Sequence, residues 1–315
     1  MVDDSRNADS SARAVSRAAA RVPPPALLLV SIVSIQLGAA VAIHLFDAIG
    51  PTSTVFLRII FSAVLLLVIR RRSIRRIARR DIGILLLMGC VIGAMNLSFY
   101  GALARIPLGI AVAIEFIGPL GVAVITSRRL TEFAWIALAV AGLALLTPSI
   151  GTDLDPVGVG LALAAGAGWA CFVLISPRVG GRVGSVGLAV AMSVAAVFTV
   201  PFELASGGLA RLDLVVLGGA LAVAVFSTAL PLSLEFEALG RMTARAYGVT
   251  VTVEPVVAAL VGVVVLGQAM PANGLLAIAC VTVAAAGVTL TDRRNPGASA
   301  ASARVSTALP SETAE

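Results

Sequence analysis

The chain has 315 residues, of which 59% are hydrophobic and only 13% charged, with a mean hydropathy of +1.02. A soluble domain carries roughly a quarter charged residues, so this composition all but excludes a soluble enzyme, and it is far too apolar for a disordered chain. All 23 basic residues are arginine and the formal net charge is +6; in a soluble protein that balance would suggest nucleic acid, so the placement of the arginines has to decide its meaning.

Crossing a hydrocarbon core of roughly 30 Å takes about 20 apolar residues. Residues 1–25 are rich in Ala, Ser and Pro and are expected to be a disordered tail. Ten spans follow, at approximately 26–46, 51–69, 81–101, 107–126, 132–147, 157–176, 185–202, 214–233, 245–266 and 272–291. The fifth is the shortest and borrows flanking residues. Pro and Gly mark most connections, among them Gly50-Pro51, Pro148, Asp155-Pro156 and Pro271. Residues 292–315 are expected to be a second disordered tail. Backbone polar groups in lipid must be satisfied within the chain, and uninterrupted apolar runs of this length read as helices. Barrel strands would be about 10 residues of alternating polarity, and no such pattern occurs. The expectation is an all-α membrane protein.

Orientation follows from the arginines. The first tail and the connections after the even-numbered spans, together with the last tail, hold 20 of the 23; Arg70, Arg71, Arg72, Arg75, Arg76, Arg79 and Arg80 form the densest group. The opposite connections hold only Arg105 and Arg211. Both termini are therefore expected in the cytoplasm. Reading span 1 as a cleaved signal peptide would upset this alternation, and its apolar stretch exceeds the usual 7–15-residue core.

The sequence also repeats. Ala102-Leu103-Ala104-Arg105 recurs as Ala238-Leu239-Gly240-Arg241 at an offset of 136, which also carries Pro119 onto Pro255. Ala141-Gly142-Leu143 finds a partner in Ala286-Gly287-Val288 at a larger offset. Two five-helix halves, residues 26–147 and 156–291, are expected. Five is odd, so the second half enters the membrane inverted, which gives alternating access a structural basis. Coincidence between Ala- and Leu-rich helices is the competing explanation.

Charges inside spans are costly and usually face a partner or a watery cavity. Glu115 in span 4 and Glu254 in span 9 lie near the bilayer middle. Under the repeat they differ by about one helical turn and share a face. Pro119 and Pro255 stand beside them and bend their helices. Such carboxyls can exchange protons or pair with a substrate ammonium; a purely structural role is the alternative. Arg58 in span 2 can meet a substrate carboxylate, neutralise a glutamate, or snorkel outward. Glu235 and Glu237 follow Pro231 at the end of span 8, where solvation is the simpler reading. Gln36, Asn96, Tyr100, Trp169 and Tyr247 can line a pocket, or serve interhelical bonding and interface anchoring. The single histidine, His44, lies near a span end, and a bland role is favoured. Gly89 and Gly93 form a GxxxG pair suited to close helix packing.

Other chemistries are missing. Cys90, Cys171 and Cys280 are isolated, giving neither a redox pair nor a zinc site. No phosphate-binding loop of the G-x-x-x-x-G-K-[ST] type exists in a chain without lysine. Neither an enzyme, a metal nor a cofactor is expected.

The segment Arg105-Ile106-Pro107-Leu108-Gly109-Ile110-Ala111-Val112, followed by Glu115-Phe116-Ile117-Gly118-Pro119-Leu120 and Ser127-Arg128-Arg129, resembles the EamA-like branch of the drug/metabolite transporter superfamily. So do Asp155-Pro156-Val157-Gly158, Gly168-Trp169-Ala170, Ser233-Leu234-Glu235, Tyr247-Gly248 and Glu254-Pro255-Val256-Val257-Ala258-Ala259-Leu260. Within that branch the likeness is greatest to the threonine/homoserine exporter group. The resemblance covers roughly residues 27–290. It implies proton-coupled efflux of small metabolites through a cavity between the halves and, by position, points to Arg58, Glu115, Trp169, Glu235 and Glu254. Gln268 departs from it, since such chains often carry glutamate after span 9.

The resulting expectation is a multi-pass exporter in the bacterial cytoplasmic (inner) membrane. Its partners are a small-molecule substrate of the threonine/homoserine type, protons as the coupling ion and the lipid bilayer; nucleic acid is not among them, and a homodimer is left open. Export of a lipophilic cation or a nucleoside, and a membrane scaffold or sensor without flux, are the alternatives.

Overall fold

A computed structural model describes residues 22–70, 77–125, 130–145, 154–183, 185–231, 234, 238 and 250–291. Helices account for its regular structure, with no β-strand among the described residues. In chain order they are α1 (Pro24–Arg70), α2 (Ile82–Leu103), α3 (Leu108–Glu115), α4 (Ile117–Ile125), α5 (Leu130–Ala144), α6 (Pro156–Val183), α7 (Ser185–Ser206), α8 (Leu214–Ala224), α9 (Glu254–Val264) and α10 (Ala272–Thr291). A single turn of π-helix, Val225–Ala229, extends α8.

The first two expected spans are the two arms of α1. They part at Gly50, whose φ of 78° and ψ of 164° are non-helical. Glycine takes this conformation without a Cβ penalty, and Pro51 opens the second arm where no helical donor is needed. Among the described residues, four helical stretches are long and apolar enough to cross a membrane: Pro24–Val68 with both arms of α1, Arg79–Leu103, Pro156–Ser176 and Gly187–Ser206. Shorter apolar helices run over Leu108–Val122, Leu214–Thr228, Glu254–Val264 and Ala272–Gly287.

Three expected spans are not continuous. Residues 107–126 divide into α3 and α4 at Phe116, and α9 begins at Glu254 after a turn at Thr252 and Val253. Proline explains both interruptions. Pro119 has no N–H for the carbonyl of Glu115, and Pro255 has none for that of Val251. In the eighth span the π-turn is the irregularity.

The distribution of side chains is the reverse of a soluble globule. Leu204, Leu214, Val215 and Val264 are among the most exposed residues, while Ser31, Ser34, Gln36, Ser53, Thr54, Ser62 and Asn96 are buried. An apolar exterior over a polar-containing interior is suited to lipid.

Most helix packing joins residues before 147 to residues after 156. Helix α2 lies on α6 and α7, α1 on α7 and α8, α3 on α9, and α5 on α10. Gly89 and Gly93 of α2 face Val194 and Phe198 of α7. At Gly93 an added Cβ would stand 2.6 Å from the Phe198 ring, so this pair of glycines sets a helix–helix approach.

The connections at one end of the bundle are tied together by polar contacts. Gln268 Oε1 accepts from Leu108 N at 2.9 Å, and Asn273 Nδ2 donates to the Leu145 carbonyl at 3.1 Å. Ser53 and Ser206 hydroxyls lie 3.2 Å apart, and Glu203 holds Ser206 Oγ and Leu209 N on its two carboxylate oxygens. Arg105 and Asp155 form an ion pair at 3.4 Å. Phe46 packs on Tyr100 with centroids 5.9 Å apart, which brings the Gly50 bend beside the end of α2.

Candidate functional site

The two intramembrane glutamates stand at the two helix interruptions. Glu115 is the last residue of α3, and Glu254 is the first of α9. The helices carrying them run antiparallel in contact. Gly109 lies so close to Ala259 that an added Cβ would stand 2.6 Å from the Ala259 Cα, while Gly262 lies beside Leu108. This arrangement puts both carboxyl groups at the same end of the pair, within electrostatic reach of each other, and Glu115 within reach of Arg58 as well. Glu115 is buried, whereas Glu254 is half-buried.

The backbone around Glu115 is held by glycines. A Cβ on Gly166 of α6 would stand 2.7 Å from the Glu115 carbonyl oxygen, the acceptor that Pro119 leaves without its helical donor. Gly118 in turn abuts the Gly166 carbonyl. Trp169, one turn further along α6, meets Phe116 edge-on at 5.1 Å. A small-residue face of α6 thus fills the interruption.

Arg58 sits on the second arm of α1. Its Nη1 donates to Asn96 Oδ1 at 2.7 Å, and its guanidinium lies 5.5 Å from the centroid of the Tyr100 ring. Asn96 Nδ2 donates to the Ile92 carbonyl at 2.8 Å, which fixes the amide with its oxygen toward Arg58. Guanidinium carries five N–H donors in a planar fork; the bond to Asn96 uses one, and the fork is suited to a carboxylate.

Arg58 and Asn96 line a cavity of about 190 Å³. Its other walls are largely apolar, with Met95, Phe172 and Met192 among them, and Ser227, Thr228 and Pro231 close one side. Leu66, Leu188 and Pro231 carry it toward the arginine-rich end of α1, α7 and α8.

Ser227 and Thr228 belong to the π-turn, and the sequence reading did not single them out. The turn is pinned from α1: Ser34 Oγ donates to the Phe226 carbonyl at 2.7 Å, and Ser62 Oγ to Thr228 Oγ1 at 3.1 Å. A π-turn widens the helix and displaces its hydrogen bonds, a feature frequent at functional sites. The pair Ser-Thr inside an apolar span, three residues before a proline, was the available signal.

The remaining expected residues are distributed as follows. Asn96 lines the cavity; Gln36, Tyr100 and Trp169 are not among its lining residues. Tyr100 is buried beneath the guanidinium, and Gln36 is buried in α1, its Nε2 without a hydrogen-bond partner among the described residues. His44 Nδ1 donates to the Ala40 carbonyl of its own helix at 2.8 Å. Glu235, Glu237 and Tyr247 lie outside the described residues. Among the described residues no group of His, Cys, Asp and Glu could hold a metal ion.

Residues 156–290 match the EamA-like transporter family. The chain is similar to the threonine/homoserine exporter RhtA of Salmonella typhimurium (strain SL1344), at 40% identity over 276 residues, 87% of this chain and 93% of the relative. Similarity to the exporter of the same name in Escherichia coli (strain K12) is 40% identity over 274 residues, 86% of this chain and 92% of the relative. A solved crystal structure matches 86% of this chain and 98% of its own, with a TM-score of 0.55 at 17% identity, a likeness of fold alone.

Proposed function

Because this chain belongs to the EamA-like transporter family, we propose that it exports small neutral amino acids of the threonine/homoserine type in exchange for protons. The cavity lined by Arg58 and Asn96 carries the reading. At about 190 Å³ it is smaller than the roughly 300–1,000 Å³ of sites for drug-sized ligands, and its fixed cation invites a carboxylate. Those two properties disfavour a nucleoside and a lipophilic cation. A cavity between packed halves also disfavours a scaffold without flux.

The architecture proposed is ten helices in two inverted halves, with both termini cytoplasmic. Three observations support it. The family match spans residues 156–290, the limits of the second half. Helix contacts join one half to the other, and α3 meets its counterpart α9 antiparallel, as an inverted repeat requires. Arginine placement supports the orientation.

In the mechanism proposed, Arg58 holds the substrate carboxylate within the cavity. Glu115 and Glu254 carry the exchanged proton at the helix interruptions, the kind of place where transporters bind substrates and ions. In this mechanism the nearness of Glu115 to both Glu254 and Arg58 is what couples proton binding to substrate binding. Rocking of the halves exposes the site to each side in turn. The test is a proteoliposome flux panel of amino acids with and without a pH gradient. Threonine or homoserine flux that accelerates with the gradient supports the reading, and absence of flux for every amino acid ends it.

A further inference from the structure

We propose that Gln268 is the positioning residue of a latch that holds the two halves closed at the extracytoplasmic end. This inference rests on the orientation proposed above. The Gln268 side chain reaches from the connection after α9 to the first N–H of α3, which it accepts at 2.9 Å. Its own N–H bonds the Gly262 carbonyl at 2.9 Å, and Gly267 turns the chain with φ 62°, so the side chain is aimed by backbone rather than by chance packing. The donor on Leu108 is one of the free N–H groups of a helix start. Leu108 is 0% exposed, so water does not satisfy that N–H once the glutamine is gone.

The same end carries other polar contacts, and Asn273 Nδ2, donating to the Leu145 carbonyl at 3.1 Å, also crosses between the halves. Ser53 meets Ser206, whose hydroxyl is held by the buried Glu203. Arg105 pairs with Asp155, but both side chains are well exposed, and an exposed pair contributes little. Gln268 differs from these because it joins the elements that carry the coupling carboxyls: α3, ending in Glu115, and the connection that follows α9, beginning in Glu254. Meanwhile the cavity runs from Arg58 toward the arginine-rich end. The structure therefore combines a tied outer end with a site directed inward, and the glutamine contact is what must release for the site to face outward.

The test uses the full chain with Cys90, Cys171 and Cys280 changed to Ser and one reporter cysteine added. Ile106→Cys reports the outer end, since Ile106 is 3% exposed there; Leu188→Cys reports the cavity's inward end. Labelling by a membrane-impermeant maleimide is measured in right-side-out and inside-out vesicles. Gln268→Leu removes the acceptor and is expected to raise outer labelling of Ile106→Cys by at least about fivefold, the lower end of the population change for a buried donor left unsatisfied. Labelling of Leu188→Cys should not rise. Gln268→Glu keeps an acceptor facing a helix start and should match the parent.

Unchanged labelling in both vesicle types would overturn the latch, as would a rise at both reporters together, which signals general loosening, or a glutamate variant that behaves like leucine. Enhanced labelling of Ile106→Cys only in inside-out vesicles would overturn the proposed orientation instead, and with it the extracytoplasmic placement of the latch.

Discussion

Replacing Arg58 with glutamine tests the substrate site most directly. The substitution removes the charge and the planar fork while leaving an amide able to donate to Asn96 Oδ1, which Arg58 meets at 2.7 Å. The fold therefore loses little: the Asn96 amide stays anchored on the Ile92 carbonyl, and the contact with Tyr100 at 5.5 Å is weakened. Binding loses much more. Truncating one partner of a buried, hydrogen-bonded charge pair costs about 2–5 kcal/mol, which at roughly 1.4 kcal/mol per tenfold is about 30- to 5,000-fold in affinity. The expected result is a rise in the KM for substrate within that range. Arg58→Lys should fall between, because an ammonium supplies charge without the fork. The assay is the concentration dependence of initial uptake into everted vesicles at a fixed pH gradient, normalised to the amount of inserted protein. A KM for Arg58→Gln within threefold of the parent would refute the carboxylate role. Loss of inserted protein would instead show that the cation is needed for the fold.

Glu254→Gln should abolish proton-driven uptake in everted vesicles while the protein still inserts, and wild-type rates would remove Glu254 from the mechanism. Glu115→Gln should likewise remove the response to a pH gradient, read as equal counterflow with and without it. Gly166→Ala places a Cβ 2.7 Å from the Glu115 carbonyl oxygen; overpacking costs about 1–3 kcal/mol, so a lower unfolding temperature in detergent is expected. Asp213 Oδ1 caps α8 by accepting from Val216 N at 2.7 Å, and Asp213→Ala should destabilise by about 1 kcal/mol, read in the same unfolding assay.

The contrast between span 10 and span 4 explains which features can be read from sequence. Hydropathy places span 10 at 272–291, and α10 occupies Ala272–Thr291, because a helix in lipid must satisfy its own backbone and hydrophobicity then marks its limits. In span 4 the same rule gives the extent but misses the interruption at Phe116. Pro119 announces a freed carbonyl, yet what meets that carbonyl is Gly166 of α6, 51 positions past Glu115. No periodicity records such a partner.

Hydroxyl residues show the same division. Thr54, Ser176 and Ser193 bond the carbonyl four residues back in their own helices, a local habit that leaves a serine in a span uninformative. Ser34 and Ser62 look the same in sequence, but they reach across to the π-turn, whose Ser227 and Thr228 line the cavity with Arg58. Charged residues stand out because their insertion is expensive whatever they touch, so Arg58, Glu115 and Glu254 are candidates by their positions inside spans, with functional and structural roles both open on sequence alone. The uncharged groups around them carry no such penalty: Asn96 is readable from sequence as a pocket candidate but not as the partner of Arg58, and Gly166 and the π-turn become visible only through their contacts. Gln268 sits between the two classes. As an amide in place of the glutamate such chains often carry, it first stands out as a missing charge. Its hydrogen bond to Leu108 N uses the side chain as an acceptor, a role that a glutamate oxygen fills as well.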